Sequence, residues 1–115
     1  MERPIKRGDV YWIDFDLPIG KRPAVIVQND IGNRFSATVI VAVITSALPG
    51  KSYPTDVLLP NGTLPKKNSR VLAGTIITIE KEDLKDYQVT LPEDIMARVD
   101  SALMASLDLE KYKPA

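Results

Sequence analysis

Thr38-Val-Ile-Val-Ala-Val-Ile44 is an unbroken apolar run, almost all of it β-branched, with no charged position in it. A run this short and this stiff at χ1 reads as a strand buried on both faces, which places it at the centre of a sheet. Ala24 to Val27 is a second run of the same kind and predicts its neighbour. Upstream, Val10-Tyr-Trp-Ile-Asp-Phe15 is rich in aromatic and β-branched residues and is stopped by Pro18-Ile-Gly20. Downstream, Thr55 to Leu59, Arg70 to Ala73 and Thr75 to Ile79 complete the predicted strands. The segments between them carry turn chemistry. Asn29-Asp-Ile-Gly-Asn33 and Leu48-Pro-Gly-Lys-Ser-Tyr-Pro54 read as loops, and Pro60-Asn-Gly-Thr-Leu-Pro65 as a turn.

After residue 80 the hydrophobic period changes. Thr90-Leu-Pro-Glu93 matches a capping box, and Ile95, Val99, Leu103 and Leu107 then recur four apart with Met96 and Ala102 beside them. That pattern predicts one helix over about 91 to 107 whose apolar stripe packs on the sheet, with a short helical turn near Glu82 to Asp86. The expected fold is mainly β with α: a small, strongly bent antiparallel sheet or SH3-like barrel closed by a C-terminal helix. Residues 1–115 are expected to form one domain, since a chain of this length buries roughly two-thirds of its unfolded surface without disulfides or a metal.

Composition removes many chemistries. The chain has no Cys and no His, so it carries no Ser-His-Asp triad, no Cys nucleophile and no imidazole acid/base pair. An ordinary structural zinc site is excluded on the same ground. Catalysis, if present, runs on Arg, Lys, Asp, Glu, Tyr, hydroxyls or backbone groups. No apolar run approaches the ~18 residues of a membrane span, and the charged first residues contain no apolar signal core, so the chain reads as a cytoplasmic protein.

The net charge of zero hides an asymmetry. Lys21, Arg22, Arg34, Lys51, Lys66, Lys67 and Arg70 make the middle of the chain cationic, while the last third is acidic. A cationic face of this kind attracts phosphates, although solvated loops have the same composition. Polar groups also gather at strand edges. Arg7-Gly-Asp9 precedes the first strand, Lys21-Arg22-Pro23 opens the second, and Ile44-Thr45-Ser46 closes the third, positions where sites commonly lie.

Taken in order and spacing, three stretches resemble the MazF/PemK family of toxin–antitoxin ribonucleases: Arg7 to Phe15, Arg22 to Ser36, and Thr38 to Ser46. The likeness continues through Tyr53-Pro54, Ser69-Arg-Val-Leu72 and Thr78-Ile79 to the closing helix. The resemblance implies a homodimeric toxin that cuts single-stranded RNA without a metal or other cofactor and is silenced by a cognate antitoxin. It further implies that Arg22 and Thr45 are the catalytic pair, and that the RNA's own 2′-hydroxyl attacks phosphorus to leave a 2′,3′-cyclic phosphate and a 5′-hydroxyl. Arg suits such a reaction, because a planar cation matched to phosphate geometry stabilises charge on the reacting group. Asp14 and Asp16, expected on one strand face, are candidates for the general base, or else a solvated carboxylate pair. Lys21, Asn33, Arg34, Lys51 and Ser46 are candidate RNA contacts, and Phe15 or Tyr53 could stack on a base. Trp12, alternating with Val10, reads as core.

The chain also departs from the pattern. Relatives carry a longer Gly-Ser-Glu-Gln loop where Gly20 here runs straight into Lys21, and an acid, Gln and Arg where this chain has Gly74, Thr75 and Ile77. A member that only binds its partners is therefore the alternative to an active nuclease. Action like the gyrase poison of the same fold is disfavoured, since that toxin relies on a C-terminal Trp-Gly-Ile and this chain ends Tyr112-Lys-Pro-Ala115.

Overall fold

The computed structural model describes residues 3–46 and 53–109. Its elements in chain order are β1 (Asp9–Asp14), β2 (Lys21–Ile26), α1 (Asp30–Phe35), β3 (Thr38–Thr45), β4 (Asp56–Leu58), β5 (Arg70–Glu80), β6 (Tyr87–Thr90) and α2 (Glu93–Leu107), with a 3-10 turn at Lys81–Asp83. The six strands form one antiparallel sheet in the order β4-β5-β3-β2-β1-β6. It is a curled half-barrel with a C-terminal helix, as the hydrophobic pattern predicts.

Two cores explain why the decisive run is apolar throughout. Alternate residues of a strand face opposite sides of a sheet. On one side Val10, Val25, Ala42, Ile44 and Val71 pack with Ile95, Val99 and Ala102 of α2. On the other, Tyr11, Ile13, Ala24, Ile26, Val39 and Val41 form a second cluster, edged by the partly buried Phe15, Ile77, Ile79 and Leu84. The central strand β3 therefore contributes to both.

Several elements differ from the sequence reading. Residues 29–33 are not an open loop: Asn29 caps α1 by accepting the Gly32 N–H at 2.8 Å, so a short polar stretch closes into a helix. The predicted strands 70–73 and 75–79 are one long β5. Its register against β3 jumps from Ile76 opposite Ala42 to Leu72 opposite Val43, so Gly74 sits in a bulge within it. Strand β6 is hidden in the sequence by its polar composition, and it pairs on the edge of β1. The helical turn expected over 82–86 is the 3-10 turn one residue earlier.

Helix α2 starts two residues later than the capping box implies. Thr90 gives its hydroxyl hydrogen to buried Asp9 at 2.6 Å, and its oxygen accepts from Arg3 Nη2 at 3.1 Å and from the Tyr87 hydroxyl at 2.7 Å, so no lone pair is left to cap, and Pro92 stands at the N-cap without a side-chain bond. Glu93 and Asp94 in the first turn complement the helix dipole. At the far end Asp108 adopts a left-handed conformation (φ 56°) and its N–H returns to the last carbonyls. Arg7 anchors the helix to the sheet: its Nε donates to the Val27 carbonyl at 2.8 Å and its Nη2 to Asp100 at 2.7 Å. Among the described residues no helix is long and apolar enough to cross a membrane.

Candidate functional site

The site forms where β1, β2 and β3 end together. Strand β1 leaves the sheet at Asp14, opposite Lys21, and the chain returns in a tight hairpin: Phe15 N–H donates to Gly20 O at 3.0 Å and Gly20 N–H to Asp16 O at 2.7 Å. Strand β2 therefore begins with Lys21 and Arg22 at the sheet's rim. Beside it β3 pairs with β2 through Ala24 opposite Val43. Carried two residues further along both strands, this register sets Arg22 beside Thr45, and strand alternation puts them on one face.

A cleft of about 380 Å³ opens at this rim. It is lined by Lys21, Arg22, Thr45 and Ser46, joined by Trp12 and Gln88 from β1 and β6 and by Lys66 and Ser69 from the segment before β5. Three cations and three hydroxyls thus converge, with Trp12, Pro23, Ile44, Leu64 and Pro65 supplying apolar walls, and no carboxylate of the described residues lines it. The Arg22 guanidinium is exposed and rests on the carbonyl of Lys21 through Nη1 at 2.9 Å. Ser69 is held by its own hydrogen bond to Lys66 O at 2.8 Å. A concave surface with this lining accepts an anion and a flat apolar ring together.

The structure separates the other candidates from this cleft. Asn33 is only 3% exposed; its amide donates to Gln28 O at 2.9 Å and Asp30 Oδ1 at 3.1 Å and accepts from Gln28, so it braces α1 and is not open to a ligand. Arg34 is exposed on α1, lies 5.1 Å from the Phe35 ring centre and does not line the cleft. Phe15 packs against the second core cluster instead. Asp14 and Asp16 do not share a strand face: β1 ends at Asp14, Asp16 has φ 63°, and Asp14 accepts the Asp16 N–H at 3.0 Å. Neither lines the cleft. Tyr53 is 59% exposed and also lies outside it, and Lys51 falls outside the described residues.

Trp12 differs most from its sequence reading. It does share a face with Val10, but the core under that face ends before it, and the half-buried indole becomes a cleft wall. Gln88 escapes the sequence reading together with the whole of β6. Lys66 and Ser69 lie in a polar segment that carries no local signal of proximity to Thr45.

Two ionisable groups outside the cleft lining are shifted by their surroundings. At α1 the Arg7 N–H and then the Asn33 amide hold the Asp30 carboxyl below the usual Asp range. Burial, and next the charge of Asp9, push the Tyr11 hydroxyl up. Next to the cleft, Arg70 pairs directly opposite Thr45 on β5, is 7% exposed, and donates from Nη1 to Asp56 Oδ2 at 3.3 Å. Its Nε is buried and meets no acceptor among the described residues.

Residues 6–107 match the family model described as the PemK-like, MazF-like toxin of type II toxin–antitoxin systems. The chain belongs to this family. It is 40% identical over 111 residues to the endoribonuclease EndoA of Bacillus subtilis (strain 168), covering 91% of this chain and 96% of that protein. To the endoribonuclease MazF of Staphylococcus epidermidis it is 41% identical over 115 residues, covering 94% and 95%. Among solved structures, a mycobacterial endoribonuclease in complex with its cognate antitoxin superposes with a TM-score of 0.79 at 32% identity, covering 91% of this toxin-family chain and 96% of that one. The MazE–MazF structure from Deinococcus radiodurans, at 23% identity and TM-score 0.74 over 92% and 97%, shares the fold.

Proposed function

We propose that this chain is a toxin of a type II toxin–antitoxin pair that acts in the cytoplasm as an endoribonuclease on single-stranded RNA. The observation that carries the reading is the cleft: Arg22 and Thr45 stand together at its rim, among Lys21, Lys66, Ser46 and Ser69, with no carboxylate of the described residues in the lining. The names of relatives near 40% identity support it. The whole chain serves as one toxin domain, working as a homodimer.

In this reading Arg22 turns from the Lys21 carbonyl to the scissile phosphate and offers paired donors to its nonbridging oxygens, while Thr45 fixes one of them. The RNA 2′-oxygen attacks phosphorus as its proton passes to solvent, and the P–O5′ bond breaks with a proton taken up by the leaving oxygen. The products are a 2′,3′-cyclic phosphate and a 5′-hydroxyl. Since the nucleophile belongs to the substrate, the protein's contribution is alignment and charge stabilisation, which a chain lacking His and Cys can supply. Trp12 offers a stacking surface and Lys21 and Lys66 contact flanking phosphates. An acidic or amphipathic antitoxin segment lying over the same cations excludes RNA without altering the fold.

The test is cleavage of a long single-stranded RNA in excess EDTA by wild type, Arg22→Ala and Thr45→Ala, with end-group analysis. Discrete fragments ending in cyclic phosphate, slowed roughly 100- to 1,000-fold by either substitution, are expected. Intact RNA with folded wild-type protein, or equal cutting by Arg22→Ala, overturns the reading in favour of a toxin that acts by binding alone.

A further inference from the structure

Arg70 is a buried cation next to the cleft that has no part in cleavage by Arg22 and Thr45 as proposed. It lies directly opposite Thr45 in the β3–β5 ladder, and cross-strand partners present their side chains on the same face. Arg22 occupies that face from β2. With strands about 4.8 Å apart, Arg22 and Arg70 flank Thr45 one strand spacing away on either side. The sheet order places β4 beyond β5, so Asp56, the ion-pair partner of Arg70, lies on the side away from Thr45. Of the two partners the cation therefore belongs to the strand next to Thr45 and the anion to the strand beyond it.

Among the described residues this guanidinium is only partly satisfied. Among the described residues its ion pair is a single 3.3 Å contact between side chains only 9% and 11% exposed, and Nε meets no acceptor. Only an apolar replacement of both Arg70 and Asp56 would fill the same space without stranding a polar group, so volume alone does not call for the pair. A buried charge beside a reacting group acts through a medium that screens it weakly, and it needs no reorganisation as the reaction proceeds.

We propose that Arg70 is a positioning residue for RNA cleavage: fixed by Asp56 on the flank of Thr45, it holds positive potential where the scissile phosphate gains negative charge, without touching the RNA. Its burial separates this role from that of Arg22, whose exposed guanidinium is free to reach the substrate. The inference rests on the ribonuclease reading of the cleft.

The experiment compares wild type, Arg70→Met, Arg70→Lys and Arg22→Ala in single-turnover cleavage of an RNA oligonucleotide carrying the wild-type cut site. Binding is measured in parallel with the same oligonucleotide bearing a 2′-deoxy sugar at the cut position. Arg70→Met, close in volume but uncharged, is expected to slow cleavage roughly 10- to 100-fold while affinity for the deoxy oligonucleotide stays within about twofold, and Arg70→Lys is expected to recover most of the rate. Wild-type rates in Arg70→Met overturn the proposal. So does a parallel loss of rate, affinity and melting temperature that Arg70→Lys shares, since that marks a purely structural residue. Should Arg70→Met not fold, Arg70→Gln, which keeps a donor for Asp56 without the charge, gives the same comparison. Wild-type protein that cuts no RNA removes the ribonuclease reading itself, and this inference with it, whereas active wild type with unaffected Arg70 variants removes this inference alone.

Discussion

Replacing Asp9 with Asn is expected to destabilise the protein by about 2–4 kcal/mol, because both oxygens of that carboxylate are committed. Asp9 is fully buried at the start of β1. Its Oδ1 accepts from the Thr90 hydroxyl at 2.6 Å and from Arg3 Nη2 at 3.3 Å, and its Oδ2 accepts the Lys6 N–H at 3.0 Å. Hydrogen bonds to a charged group contribute about 1.5–3 kcal/mol each. In Asp9→Asn the new side-chain amide would keep an acceptor toward Thr90 but turn its NH2 against the Lys6 N–H, so one bond is lost, the other loses its charge, and a buried donor is stranded. For a chain of this size that corresponds to a fall in Tm of roughly 8–15 °C. The assay is guanidinium unfolding followed by circular dichroism, with the midpoint dropping and the slope unchanged. Thr90→Val, which removes only the 2.6 Å donor, should cost about 1–2 kcal/mol, and the double variant less than the sum. Arg3→Ala should move the midpoint less than Asp9→Asn, since the Arg3 side chain is half-exposed over the Tyr87 ring. A change below about 0.5 kcal/mol for Asp9→Asn, or a larger effect from Arg3→Ala, refutes the assignment of this carboxylate as the clamp between β1 and β6.

Asp30 sets an acid limb to stability. Its folded pKa is depressed by the Arg7 N–H and the Asn33 amide, so its contribution is present above the unfolded value of about 3.9 and disappears as pH falls through the folded value. The gap in unfolding midpoint between wild type and Asp30→Asn should therefore be wide at neutral pH and close in strong acid; a constant gap contradicts the assignment. Trp12 is the only tryptophan of the chain and lines the cleft, so adding a 2′-deoxy-blocked RNA should change its emission. Unaltered fluorescence at saturating RNA places the RNA elsewhere.

Much of the fold is legible in the sequence because it depends on local pattern. The double-sided run Thr38 to Ile44 marks the sheet centre, and the fourfold spacing of Ile95, Val99 and Leu103 marks α2. What the sequence misleads about depends on who competes for a group. Thr90 reads as a cap until Asp9 takes its hydrogen and Arg3 and Tyr87 occupy its oxygen. Asn33 reads as a ligand contact until Gln28 and Asp30 are seen to consume its amide. The strand through Gln88 is invisible because an edge strand needs few apolar residues.

The chain by itself determined its class, its two-sided central strands, the absence of imidazole and thiol chemistry, and the candidacy of Arg22 and Thr45, through residue type, period, spacing and the family resemblance they carry. Only the tertiary structure decided which polar groups share a cleft. Lys66, Ser69, Trp12 and Gln88 join Arg22 and Thr45 there, whereas Asn33, Asp14 and Asp16 do not, and Arg70 comes to rest beside Thr45 through the β3–β5 register. The physical reason is range. Hydrophobic period acts over a few residues and survives in any context, but the partner of a hydrogen bond or a charge is set by strand register and sheet curvature, which bring together residues far apart in the chain.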